Sequence, residues 1–228
     1  MPYRPIAYDY IQDAFLREEI FRRADWLLSD AYGMFALPPQ SLPGAGGGNW
    51  AIALVLLCVV DGISCHVYPT DALARRQEQR FKRIIRERLH WGPTKKGWYR
   101  KEDAIDVLYT EFRNPLVHEL AIDKPARTRD RSIAEESAIG KWGGVQLQDI
   151  AAIDAMSTWN DDWPTLGVEE YNGGKRLRLS CAALYWTVKE MVRALAVDSP
   201  TQNAAVAFRN KPKPPKSLLE HLVRRLHR

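Results

Sequence analysis

The chain is poor in cysteine, has no apolar run long enough for a bilayer, and offers no clustered metal ligands. Each shortage removes a class of function. Only three cysteines (Cys58, Cys65 and Cys181) occur in 228 residues. They are too few and too apolar in context for a disulfide framework. Cys58 and Cys65 also lack a second Cys or His pair at ligand spacing, so no metal site is expected. Buried, inert, reduced thiols fit a cytoplasmic address. The longest apolar run, residues 50–60, stops at Asp61; it is too short to span a bilayer and reads as a buried helix. The N-terminus begins Met-Pro-Tyr-Arg and turns acidic and amphipathic, so no secretory signal is expected.

What is present is the composition of a soluble globular protein, 46% hydrophobic and 27% charged. The length allows one sizeable domain or two small ones. The net charge of +5 is unevenly spread. Residues 71–102 hold eleven Lys/Arg against four Asp/Glu, and residues 205–228 hold seven Lys/Arg and a single Glu. These stretches can meet a phosphate backbone, or form a solvated helix face and a basic tail.

Apolar periodicity predicts a first helix over 6–31, from Tyr10, Ala14, Phe21, Ala24 and Leu28. A Pro/Gly-rich connection, LPPQSLPGAGGGN, follows. Asn49 can cap a second helix over 50–67, apolar on nearly every side and thus central, ended by Pro69. Asp71 opens a third helix, 72–90, with a basic face. A fourth begins near Lys101 and continues past Leu120, with Pro115 inside it. Residues 124–141 read as an irregular connection. VQLQDI (145–150) and KRLRLS (175–180) alternate like two short strands, with loop between them. A last strong helix, 182–197, starts at or just after Ser180. The predicted fold is mainly α: an antiparallel helical bundle with a kinked motif helix and a small β-hairpin insertion before the last long helix. It forms a single domain over 1–200, with its core at about 48–124 and 180–198, followed by a basic, Pro-containing tail, 201–228, with a short terminal helix.

The fourth helix carries the chemistry. Ile105, Leu108, Phe112, Leu116 and Leu120 make one apolar stripe. At about 100° per residue, Asn114 and His118 project together from roughly the opposite side. Arg113 lies on the flank. Pro115 has no N–H for the Glu111 carbonyl and disfavours helical geometry at Asn114, so a kink is expected there. An imidazole titrates near neutrality and can move a proton. Arg offers a planar fork of donors to phosphate oxygens, and Asn can orient either group. Without a metal-ligand set, the nucleophile would be the 2′-hydroxyl of RNA. One imidazole cannot readily serve both sides of a phosphate, which a two-fold dimer would resolve. A plainer account has Arg113, Asn114 and His118 capping broken helix ends around the proline. Asp61, interrupting the apolar helix, is either an accessory acid beside His118 or the partner of a group on a neighbouring helix.

The string LYTEFRNPLVHEL resembles the signature of the HEPN superfamily: Arg followed by a polar residue, then a His after a short spacer, here Arg113, Asn114 and His118. The similarity covers about residues 48–124. A second match to the spacing, Arg83 to His90, lacks the polar residue after the Arg. The resemblance implies a helical bundle, usually dimeric, often a metal-independent endoribonuclease of toxin, anti-phage or RNA-processing systems. Arg113 and His118 would then be catalytic, with Asn114 in support. It implies no cofactor and no membrane, with RNA, a second copy and an antitoxin or defence protein as partners. The alternative is a non-catalytic HEPN-fold dimer that binds RNA or a partner protein. No tyrosine follows His118 closely, which argues against modification by a partner nucleotidyltransferase.

Overall fold

A computed structural model describes residues 3–35, 49–68, 77–91, 99–113, 145–146, 165–171 and 174–211. The fold is mainly helical with a small sheet, as predicted. Helix α1 is a π-helical turn, Leu16–Phe21, running into an α-helix, Arg22–Phe35. Then come α2 (Asn49–Val67), α3 (Gln77–Arg88), and α4 (Lys101–Val107), which continues as a π-helical turn, Leu108–Arg113. Strands β1 (Val145–Gln146), β2 (Leu166–Tyr171) and β3 (Gly174–Ser180) precede α5 (Cys181–Val197) and α6 (Ser199–Arg209).

The first helix starts later than predicted. Asp13 ends the irregular approach by accepting the Leu16 N–H at 2.8 Å, the local competition that makes Asp a helix starter. The apolar residues upstream are used differently. Ile6 and Ile11 enter the core from a non-helical strap, tied down where the Asp25 carboxylate accepts from the Tyr3 hydroxyl (2.5 Å) and the Ile6 N–H (3.1 Å).

Helix α2 is the central element. Ile52, Leu56, Leu57, Val60 and Ile63 are buried, and α2 packs against α1, α3, α5 and α6. Phe15 stands edge-on to His66 while Leu27 and Cys58 line one groove, so α1 runs antiparallel to α2. Helix α4 is likewise antiparallel to α3, with Lys101 near Leu89 and Tyr109 against Phe81. Helix α3 follows the direction of α2, because Gln77 meets Asp61 and Glu87 meets Tyr68. The start of α3 and the Leu108–Arg113 turn that continues α4 therefore both come to Asp61, in the middle of α2.

The hairpin pairs differently from the sequence reading. KRLRLS forms β3, but its antiparallel partner is β2, read from sequence as the end of a loop. The VQ of VQLQDI contributes only a two-residue parallel pairing to β3. Register sets Glu169 opposite Arg176 and Glu170 opposite Lys175. Asn172 and Gly173, the two residues between the strands, are the strongest short hairpin signal a sequence carries.

Ser180 caps α5 as expected, accepting the Ala183 N–H at 3.2 Å. The helix is buried almost all round, including Thr187 and Lys189. The chain then departs from prediction: much of the segment read as the start of a basic tail is α6. Asp198 accepts the Thr201 N–H at 3.1 Å and Pro200 sits in the first turn, the usual chemistry of a helix start. The rest of that segment, beyond residue 211, lies outside the described residues.

Candidate functional site around Asp61 and Arg113

Of the three predicted site residues, Arg113 is described; Asn114, His118 and the kink expected at Pro115 lie outside the described residues. Arg113, expected on the flank between the apolar stripe and the polar face, is buried. Its residue exposure is 3%, and it turns toward α2. The prediction assumed α-helical angles throughout. A π-helical turn bonds each residue to the fifth one on, so Arg113 is drawn toward the buried side that carries Leu108.

The partner there is Asp61. Arg113 Nη2 donates to Asp61 Oδ2 at 2.6 Å, and Gln77 Nε2 donates to the same oxygen at 2.5 Å. One carboxylate thus joins the middle of α2, the start of α3 and the end of α4. The Asp61 that interrupts the apolar helix is thus paired with groups on neighbouring helices, one of the two roles left open by the sequence; its relation to His118 lies outside the described residues. Ser64 Oγ donates to the Asp61 carbonyl at 2.7 Å, steadying the same turn of α2. Asp61 Oδ1 is buried and has no hydrogen-bond partner among the described residues.

Tyr109 stands beside the pair, with the Arg113 guanidinium 5.5 Å from its ring centroid and Lys82 Nζ 5.7 Å from it. Burial raises the Tyr109 hydroxyl above its usual range, with the Arg113 charge opposing. Cys58 lies one helical turn before Asp61. Burial raises its thiol pKa, the Asp61 charge adds to that, and Arg113 works against it. This cysteine is exposed, contrary to the expectation of three buried thiols, whereas Cys181 is buried. Both thiols are pushed toward the protonated, less nucleophilic form.

Chemically, the arrangement fixes a positive charge at the end of α4, directly before Asn114 in sequence.

The basic face predicted on α3 is substantially self-paired. Lys82 bridges Glu78 and Asp106 at 2.6 Å each, Arg83 meets Glu87 at 2.8 Å, and Arg88 meets Asp198 at 2.8 Å. Arg86 stays exposed. The more exposed of these pairs, Arg83–Glu87, contributes little to stability. Among the described residues no group of three or more His, Cys, Asp or Glu is placed to hold a metal, and no helix is long and apolar enough to cross a membrane.

Asp61 was legible as an anomaly, a lone acid in an apolar helix, while Gln77 and Tyr109 carry no sequence signal of a site. Comparison of the chain with protein-family models, with curated proteins and with solved structures found no match.

Proposed function

We propose that the protein is a metal-independent endoribonuclease of HEPN type, acting in the cytoplasm as a homodimer on RNA. Cleavage proceeds by attack of the 2′-hydroxyl on the adjacent phosphorus, expelling the 5′-oxygen and leaving a 2′,3′-cyclic phosphate. His118 moves the proton, Arg113 stabilises charge on the non-bridging oxygens, and Asn114 positions the groups. Because the nucleophile belongs to the substrate, no cofactor enters the reaction.

The observation that carries this reading is the Asp61–Arg113 pair. The arginine of FRNPLVH is held by a carboxylate from another helix at 2.6 Å. A charge held near the motif before substrate arrives lessens the reorganisation that the reaction demands, which is how electrostatic stabilisation becomes effective. Resemblance of the string around it to the HEPN signature supplies the chemistry.

A second reading rests on the burial of that same residue. A guanidinium 3% exposed must shift to touch a phosphate, which favours a non-catalytic HEPN-fold dimer. Such a dimer would bind RNA or a partner protein in a toxin–antitoxin or anti-phage system. One experiment separates the two: purified wild type and His118→Ala are incubated with mixed RNAs in EDTA and the product ends analysed. Wild type is expected to leave cyclic phosphate ends, and His118→Ala to lose at least about 100-fold in rate. Equal cleavage by both proteins rejects the nuclease. A gel shift with no shortening selects the binding dimer.

A further inference from the structure

Between α1 and α2 runs an open groove of about 150 Å³, with Leu27 on its α1 side and Cys58, Gly62 and His66 on its α2 side. Its α2 wall is part of a longer stripe. Ala51, Val55, Cys58, Gly62 and Cys65 are exposed or half-buried, carry no charge, and alternate four- and three-residue steps. That spacing is the seam one helix presents to another. A β-carbon added to Gly62 would meet nothing within 4 Å, so no described residue fills the seam there. At its other end the same crease is taken. Ile20, Ile63 and His66 line both the open groove and the narrow cleft beneath Thr201, Gln202 and Ala205 of α6.

We propose that residues 217–227 of this chain fold back onto the groove as an amphipathic helix, extending the cover that α6 begins. These residues lie outside the described ones, and the proposal stands independently of the nuclease reading.

Three observations select this occupant. The first is its pattern, SLLEHLVRRLH. At about 100° per residue, Leu218, Leu219, Leu222, Val223 and Leu226 fall within an arc of about 140°, and every polar or charged residue falls outside it. One face needs cover and the other needs water, which an uncharged surface groove supplies. The second is where the chain leaves α6. Arg209 binds Asp13 and lies 4.8 Å from the Phe15 ring centroid. Phe15 in turn stands edge-on to His66 at the mouth of the groove. The third is reach. The six steps from Lys211 to Ser217 cover about 19 Å in the extended form that their prolines favour. An eleven-residue helix is then about 16 Å long, close to the length of α2 from Val55 to Cys65. So short a tether holds the segment at a roughly millimolar effective concentration, well ahead of a second copy in dilute solution. Entering from the His66 end, it runs antiparallel to α2 and brings Leu222 close to Cys58 and Gly62.

The test uses Cys58, inside the groove, as its reporter in the full-length protein. Wild type, Leu222→Asp and Leu222→Cys are compared, with circular dichroism to confirm folding. Alkylation followed by peptide mapping should label Cys58 at least about 10-fold faster in Leu222→Asp than in wild type, because the segment no longer covers it. The buried Cys181 should stay slow in both. A short bis-maleimide should join Leu222→Cys to Cys58 within one chain, leaving the mass on a denaturing gel at 26.1 kDa. Equal labelling of Cys58 in wild type and Leu222→Asp overturns the docking, and so does the absence of that cross-link. Cross-linked pairs of chains give the groove to the segment of a second copy and overturn closure within one chain.

Discussion

The molecule buries charge in two places and handles it in two ways. At Arg113 the cation meets a carboxylate, with a tyrosine ring alongside. At Lys189, 3% exposed on α5, the ammonium has no carboxylate in ion-pair contact among the described residues. It lies 4.2 Å from the Tyr3 ring centroid, 5.6 Å from that of Tyr185 and 5.5 Å from that of Trp186. Burial, helped by the charges of Arg193 and Arg4 and opposed by Asp25 and Glu190, brings its pKa down to about 8. A matched charge becomes costly when its partner is removed, whereas an aromatically caged one is costly already. The first therefore ties helices together, while the second is dispensable for stability.

The largest effect should come from breaking the pair on one side. Asp61→Leu strands the Arg113 guanidinium in a buried site and should lower unfolding free energy by about 3 kcal/mol or more. Adding Arg113→Met should recover most of it, as read by urea denaturation. No recovery would mean that the carboxylate acts mainly through Gln77 and α3.

At the other centre, Lys189→Met should stay within about 1 kcal/mol of wild type at pH 7, since it trades cation–π contact for relief of desolvation. The pH dependence sharpens the contrast. The unfolded chain keeps this proton up to about 10.5, while the folded protein releases it near 8. Across that window the unfolded state binds more protons, so wild-type stability should rise with pH. Denaturation at pH 7.5 and 9.5 should show that increment in wild type and not in Lys189→Met.

The smallest effect belongs to an exposed pair. Arg209 grips Asp13 through both terminal nitrogens, at 2.8 and 2.6 Å, and holds that carboxyl down to about 2. Solvent screening keeps the contribution small, so Arg209→Ala should leave the urea midpoint almost where it is in wild type.

Much of this was legible in the residues, where one local force dominates. The all-round apolar pattern of α2, the Ser180 cap of α5, and the Ile105–Leu108–Phe112 stripe of α4 each follow from burial or capping alone. The misreadings arose where two signals competed. Residues 6–11 have helical spacing, but Asp13 starts the helix downstream and leaves Ile6 and Ile11 to pack as a strap. Asp198-Ser199-Pro200 is a helix start that the surrounding basic residues obscured, and Asn172-Gly173 a hairpin signal obscured by a loop-like neighbourhood. Arg113 was placed by angles that hold only for an α-helix, and no composition rule announces a π-helical turn. The Asp61 carboxylate was visible, but the groups it binds lie 16 and 52 residues away, a distance over which periodicity carries no information.

The clasp between Asp13 and Arg209 spans 196 residues of chain, and Tyr3 rests on Lys189 almost as far along. Such contacts have large sequence separation, and the loop entropy lost in closing them must be offset by packing formed elsewhere first. During synthesis the strap emerges long before the α5 surface that receives Tyr3 exists. Tyr3 must therefore wait for α5, and a segment made early is among the last to be secured.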